Sequence, residues 1–344
     1  MTRIRRARLM RTGWDDDLLF EEVDEELGDP TGPQVDIEVE ACGVCYRDCI
    51  DREGRFPFIR VPITPGHEVV GRVVAVGTEV TDWKPGDRVG TMHRDSCGVC
   101  PSCKEGRTSL CAGTGAVPGL LIDGGYATRM RAPQRCFFAV PEALPAAEAA
   151  VMHCTFGTAY RGLQRCGELR RGDHVLVTGA NGGVGVAAIQ VAARLGAEVT
   201  AVVRDRRHEP FLRELGAETV IVDPGDRFHK HLPGDRADVA LDCVGAPTFN
   251  ASLRSLRTGG HMVVIGNVIE EKVALNLGYL ITSGIQLVGS SGATREHMKD
   301  VFDLHSERPF QVHLHERLDL AEADRAQRAV QAGGLRGRIV LLPH

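Results

Sequence analysis

Two hydrophobic rhythms divide the chain near residue 150. Ahead of that point, residues 35–40 (VDIEVE) alternate apolar and acidic positions with period two. Residues 67–77 (HEVVGRVVAVG) and 86–90 (GDRVG) are similarly rich in β-branched residues and glycine. Such runs, bounded by glycine and proline, predict an irregular β-rich lobe. Glycines inside 67–77 predict bends or a small barrel. Behind residue 150, six apolar runs follow one another at 174–179, 198–203, 218–222, 238–245, 261–266 and 285–289. Helical patterns separate several of them. The first, 185–197, is alanine-rich and stops at Gly196; others fall at 211–215 and 249–256. Apolar strands separated by helices predict βαβ units in a parallel sheet, and six strands suffice for a dinucleotide-binding sheet. A helix near 295–305 and a final strand at 338–343 are expected to return to the first lobe. The expected class is α/β, with a doubly wound parallel Rossmann sheet beside a β-rich domain.

Composition narrows the function. A length of 344 residues suggests about two domains of ordinary size. The chain is 43% hydrophobic and 25% charged, enough apolar content for a sizeable core. Its 41 basic and 46 acidic residues give a net charge of −5, against a general nucleic-acid binder. No apolar run approaches the length of a membrane span, so no membrane partner is expected. Arg3, Arg5, Arg6, Arg8 and Arg11 open the chain without an apolar segment behind them. They read as a basic first strand or arm, not as a secretory or organelle address. Eleven cysteines without a secretory signal point to reduced thiols and a cytoplasmic location.

Four of those cysteines fall within fifteen residues. Cys97, Cys100, Cys103 and Cys111 have the spacing C-x2-C-x2-C-x7-C, with Gly98, Pro101 and Gly106 supplying turns. Four thiolates close a tetrahedral site with no open position, so this lobe, about 93–113, is expected to hold a structural zinc. A second motif lies between the strand at 174–179 and the next helix. Gly179, Ala180, Asn181, Gly182, Gly183, Val184 and Gly185 form G-x-x-G-G-x-G. Its glycines permit a tight turn and close backbone approach to a pyrophosphate, which then faces a helix N-terminus. Counting back thirteen residues from Gly216 places Val203 where an acid would otherwise hold the ribose 2′-OH of NAD. Arg204, Asp205, Arg206 and Arg207 follow. An apolar residue followed by arginines favours NADP(H); NAD(H) stays open through Asp205 if the register is two residues off.

Further ligand types lie far apart: Cys45, His67 with Glu68, and Cys154. Spacing alone does not group them. Together with the four-cysteine lobe and the glycine turn, in this order over nearly the whole chain, they resemble the zinc-dependent medium-chain dehydrogenase/reductase family of the alcohol dehydrogenase type. The resemblance implies a GroES-like catalytic domain over 1–150 and 291–344, and a Rossmann domain over 151–290. It implies a catalytic zinc on Cys45, His67 and Cys154, with Glu68 as an alternate ligand and Asp48 orienting His67. Two zincs per subunit follow, one catalytic and one structural. It also implies Thr158 near the nicotinamide, Gly266, Asn267 and Val268 along the cofactor, and Arg338 at its phosphates. The active site is expected in the cleft between domains, in a homodimer or homotetramer acting on a small molecule.

One departure bears on the reaction. Family members of alcohol dehydrogenase type carry a hydroxyl or imidazole proton relay just after the first zinc cysteine; here Arg47 and Ile50 occupy those positions. A guanidinium is permanently charged and relays protons poorly, although it can clamp an anion. Residues 45–48, 246–253 and 277–294 also resemble acryloyl-CoA reductase-like members. Two reactions therefore stand: alcohol/carbonyl interconversion, favoured by the zinc ligand set, and reduction of an activated C=C bond, favoured by the missing relay. A non-catalytic NADPH-binding protein is the third reading, and it gives no reason to keep the three zinc ligands together.

Overall fold

The computed structural model describes residues 2–25, 28–113 and 115–343. The chain forms two compact units: Met1–Cys154, Thr294–Phe302 and His313–His344 in the first, Thr155–Ala293 and Asp303–Val312 in the second. The first is built on a seven-stranded sheet in the order Leu314–Asp319, Arg338–Leu342, Gln34–Val44, Glu68–Val76, Arg88–Thr91, Phe137–Ala139, with Arg129–Pro133 also paired to Gln34–Val44. The alternation read at 35–40 is its signature: Val35, Ile37 and Val39 are fully buried, while Glu38 faces solvent. Gly71 marks a close strand approach, since a Cβ there would lie 2.2 Å from the Glu38 carbonyl oxygen. The register shifts between Val39 and Ala41 beside it. The basic N-terminus forms the strand Thr2–Arg8, antiparallel to Leu19–Glu25. Arg5 meets Glu22 at 3.1 Å and Arg6 meets Glu25 at 2.8 Å across this ribbon.

The second unit carries a fully parallel six-stranded sheet. Its order is Thr219–Val222, Glu198–Val203, His174–Val177, Ala237–Asp242, Leu256–Val264, Gln286–Gly289, or 3-2-1-4-5-6 along the chain. All six apolar runs become strands, in the doubly wound order of dinucleotide-binding sheets. The first crossover helix, Gly183–Arg194, ends at Gly196, whose φ of +82° is the left-handed stop that glycine accepts without cost.

The unit boundaries differ from the expected 150/151 and 290/291. They fall at 154/155 and 293/294, and 303–312 belongs to the second unit. Side chains of the first crossover helix hold that segment. Arg194 donates to the carbonyls of Leu304 (2.8 Å) and Arg308 (2.7 Å), and Gln190 is bonded in both directions to the Gln311 backbone. Phe310 stacks on Phe156 at 4.8 Å. None of the described helices is long and apolar enough to cross a membrane.

Candidate metal centres and cofactor turn

In the first unit, Cys45 closes the strand Gln34–Val44 and precedes the helix Tyr46–Arg52, while His67 and Glu68 open the next strand. Cys154 follows the helix Ala146–Met152, which packs on the same sheet. Cys45 Sγ and Cys154 Sγ are 3.9 Å apart, and Cys154 Sγ is 3.7 Å from His67 Nε2. Zinc–sulfur bonds of about 2.3 Å at tetrahedral angles require sulfurs about 3.8 Å apart. Together with a Glu68 oxygen, these ligand atoms all lie within 4.8 Å of one another, so the donor set fits zinc.

Asp48 ties two of the ligands together. Its Oδ1 accepts from His67 Nδ1 at 2.9 Å, and its Oδ2 accepts from the Cys45 backbone N–H at 2.9 Å. Such a carboxylate fixes the imidazole tautomer and leaves Nε2 as the ligand atom. Burial opposes a charged His67, but Asp48 outweighs it and lifts the imidazole to about 9. The Cys45 thiol is pulled well below its ordinary value by its hydrogen bond to Cys154, assisted by Arg338 and His67.

The four-cysteine lobe also converges. Cys97 and Cys103 sulfurs are 4.0 Å apart, and those of Cys100 and Cys111 3.9 Å. Backbone N–H groups of Cys97 and Cys100 donate to the sulfurs of Cys111 and Cys97, each at 3.3 Å. N–H groups at Val99 and Cys100 bring the Cys97 thiol down to about 6. Donors aimed at sulfur favour thiolates, and four thiolates are a closed zinc set.

In the second unit, the glycine turn leads from the strand His174–Val177 into Gly183–Arg194, capped by Gly182. Gly179 has φ +58°, and a Cβ on Gly185 would lie 2.4 Å from the Gly179 oxygen. Asn181 lies within this turn, and Gly183, Val184 and Gly185 form the first helical turn, whose N–H groups have no partner one turn back. Val203 ends the second strand and accepts from Asp223 N–H at 2.9 Å. Arg204 is exposed; Asp205 accepts from Arg207 N–H at 2.9 Å and pairs with its guanidinium at 3.1 Å. Gly266 presses on the loop after the fourth strand, where a Cβ would lie 2.1 Å from the Cys243 carbonyl carbon. Val268 N–H reaches the Val244 oxygen at 3.0 Å, with exposed Asn267 between. Thr158 is buried on the short helix Thr158–Arg161.

Comparison with known proteins supplies the family. Residues 31–142 match the profile of the alcohol dehydrogenase GroES-like domain, and 183–307 that of zinc-binding dehydrogenases. An acryloyl-coenzyme A reductase of Sulfurisphaera tokodaii is 33% identical over 93% of this chain and 96% of its own. The chain belongs to the zinc-dependent medium-chain dehydrogenase/reductase family. An alcohol dehydrogenase of Geobacillus stearothermophilus is 32% identical over 90% of this chain and 91% of its own. A thermostable alcohol dehydrogenase from Pyrobaculum aerophilum, solved with cobalt and zinc, superposes with a TM-score of 0.89 at 29% identity, covering 99% of this chain and 100% of that one.

Other side chains of this medium-chain dehydrogenase have surroundings that bear on the site. Arg338, expected at the cofactor phosphates, has its guanidinium paired with Glu68. A carboxylate buried away from solvent needs a cation, and Arg338 supplies it. Arg47 pairs with Asp51 at 3.0 Å, one helical turn on, rather than with any exposed group. Cys42, despite its C-x2-C spacing with Cys45, is fully buried outside the ligand cluster, and burial pushes its thiol up. A groove of about 820 Å³ in the first unit is lined by residues such as Arg6, Arg60, Asp123 and Arg131 and by none of the metal ligands. Tyr126 was not anticipated at all: its hydroxyl donates to Asp48 Oδ2 at 3.0 Å. The one sequence signal was the pair Gly124–Gly125 directly before it.

Proposed function

We propose that this chain is a zinc-dependent, NADP(H)-linked oxidoreductase interconverting an alcohol and an aldehyde or ketone by hydride transfer. The supporting observation is the convergence of Cys45, His67 and Cys154, three donors of the kind that leave one tetrahedral position for substrate. Bound there, zinc supplies Lewis-acid polarisation of the substrate oxygen, and the nicotinamide supplies or takes the hydride. Asp48 keeps His67 in its ligating tautomer. Glu68, its charge countered by Arg338, is read as an alternate ligand. The turn Gly179–Gly185 takes the pyrophosphate on backbone N–H groups, and Arg204 beside Val203 takes the 2′-phosphate. Thr158 lies near the nicotinamide in this reading, and Gly266, Asn267 and Val268 along the cofactor. Two zincs per subunit are expected, the second confined to the Cys97–Cys111 lobe. The family reading further implies a homodimer or homotetramer, and free thiols throughout suit the reducing cytoplasm.

A second reading has its own support. Arg47 occupies the proton-relay position and is bound to Asp51, so this helix offers no hydroxyl relay there. Two relatives at 33% and 34% identity are named acryloyl-coenzyme A reductases. Reduction of an α,β-unsaturated thioester or carbonyl at C=C needs no alcohol-proton relay. A screen of NADPH oxidation with aldehydes, ketones, enals and enoyl thioesters separates the two. Turnover on aldehydes or ketones is expected; turnover confined to enoyl substrates overturns the first reading in favour of the second.

A further inference from the structure

The Asp48 carboxylate is 2% exposed and receives three donors. Two come from metal ligands, His67 and Cys45; the third comes from Tyr126, 78 residues further on and outside both ligand motifs. We infer that Tyr126 is a positioning residue of the metal centre: its hydroxyl locks Asp48 Oδ2 so that Oδ1 faces His67 Nδ1 and the ring presents Nε2 to the metal. This rests on the metal-site reading above, not on which substrate is reduced.

The surroundings are shaped to bring this phenol there. Tyr126 is fully buried. Its backbone is tied on both sides, Tyr126 N–H to the Pro65 oxygen at 3.0 Å and Ala7 N–H to the Tyr126 oxygen at 2.9 Å. Gly124 and Gly125 N–H groups bond to Thr64 and Gly66 oxygens at 2.7 and 2.9 Å. The loop carrying Tyr126 thus zips onto the three residues leading into His67, Thr64, Pro65 and Gly66. Side chains are excluded along the seam. A Cβ on Gly66 would sit 2.4 Å from Tyr126 Cδ1, and one on Gly124 would sit 2.0 Å from the Gly66 oxygen. Gly66 also has φ +98°, which side chains rarely adopt. A ring that merely fills space needs none of its hydroxyl's alignment on a buried carboxylate. Phenylalanine would fill the same volume.

Tyr126→Phe removes that hydroxyl alone. Wild type and variant are loaded with zinc, metal is counted per chain, and release to a chromogenic chelator is timed. Wild type is expected to hold two metals, and the variant to release the Cys45–His67–Cys154 metal about tenfold faster or more, with the lobe metal unchanged. With cobalt at that site, the visible ligand-field bands are expected to shift in the variant. In an Asp48→Asn background, Tyr126→Phe is expected to add nothing, because its effect passes through Asp48. Unchanged release and unchanged cobalt bands overturn the inference, as does an undiminished effect without the Asp48 carboxylate. Wild type holding only the lobe metal overturns the metal-site reading itself, a distinct result. If Tyr126→Phe does not fold, 3-fluorotyrosine at position 126 keeps the shape and strengthens the donor. Slower release then supports the inference, and unchanged release overturns it.

Discussion

Single side chains divide the labour between the two cysteine sets. Cys45 belongs to a buried site whose neighbours are already held by the sheet and by Asp48, whereas Cys97, Cys100, Cys103 and Cys111 sit on a loop with little regular structure besides the short helix Pro101–Lys104. Cys45→Ser is therefore expected to abolish turnover and remove one metal equivalent with little change in thermal midpoint. Cys103→Ser should leave the active-site metal in place but cost about 2 kcal/mol or more, some 4–8 °C in midpoint for a unit of this size. Metal analysis with a thermal melt distinguishes the two; equal losses of folding in both variants contradict the division. Coenzyme choice is also a matter of single residues. Arg204→Glu should raise KM for NADPH about tenfold or more while changing KM for NADH far less, by removing a 2′-phosphate cation and adding a like charge. The four lobe cysteines were legible from their close spacing, whereas Cys45, His67 and Cys154 were legible only through the family resemblance, because their spacing alone does not group them. Tyr126 and the Glu68–Arg338 pair were not: a tyrosine and an arginine are common, and their partners lie 78 and 270 residues away.

Among elements, the turn Gly179–Gly185 tolerates little change. A methyl on Gly185 would meet the Gly179 oxygen at 2.4 Å and the Ala180 Cα at 2.6 Å, both backbone atoms that cannot swing aside. Gly185→Ala should cost about 1–3 kcal/mol of stability and weaken dinucleotide binding, measured by urea unfolding and by NADPH fluorescence titration. An unchanged NADPH titration would detach the turn from the cofactor. The six strands of the parallel sheet were legible because burial on both faces makes each an almost unbroken apolar run. The helix Ala323–Ala332 was not. Its buried positions include Ala323, Ala326 and Gln327, too small or too polar to stand out as an apolar stripe. The strand Leu314–Asp319 was missed because it is an edge, with five of its six residues at least partly exposed.

At the scale of the molecule, charge burial sets a pH dependence. Asp51 is 3% exposed, and burial lifts its carboxyl to about 6, in spite of Arg47. An acid raised in the folded state keeps its proton where the unfolded chain has released it. Its contribution to stability is therefore present below about pH 4 and lost as pH rises through 6. The loss is on the order of 3 kcal/mol. Asp51→Asn should gain stability relative to wild type by that amount between pH 4 and 7, in paired urea titrations; a constant difference at both pH values would refute the assignment. The sharing of residues between units has a consequence for dissection. The polypeptide passes from one unit to the other four times, the last two bracketing residues 303–312. A fragment ending at residue 293 would be a garment missing its buckle: Phe156 would lose its stacking partner, and Arg194 the two carbonyls that occupy its guanidinium. Expressed alone, 155–293 should be sticky and short-lived, and supplying 303–312 as a peptide should rescue it.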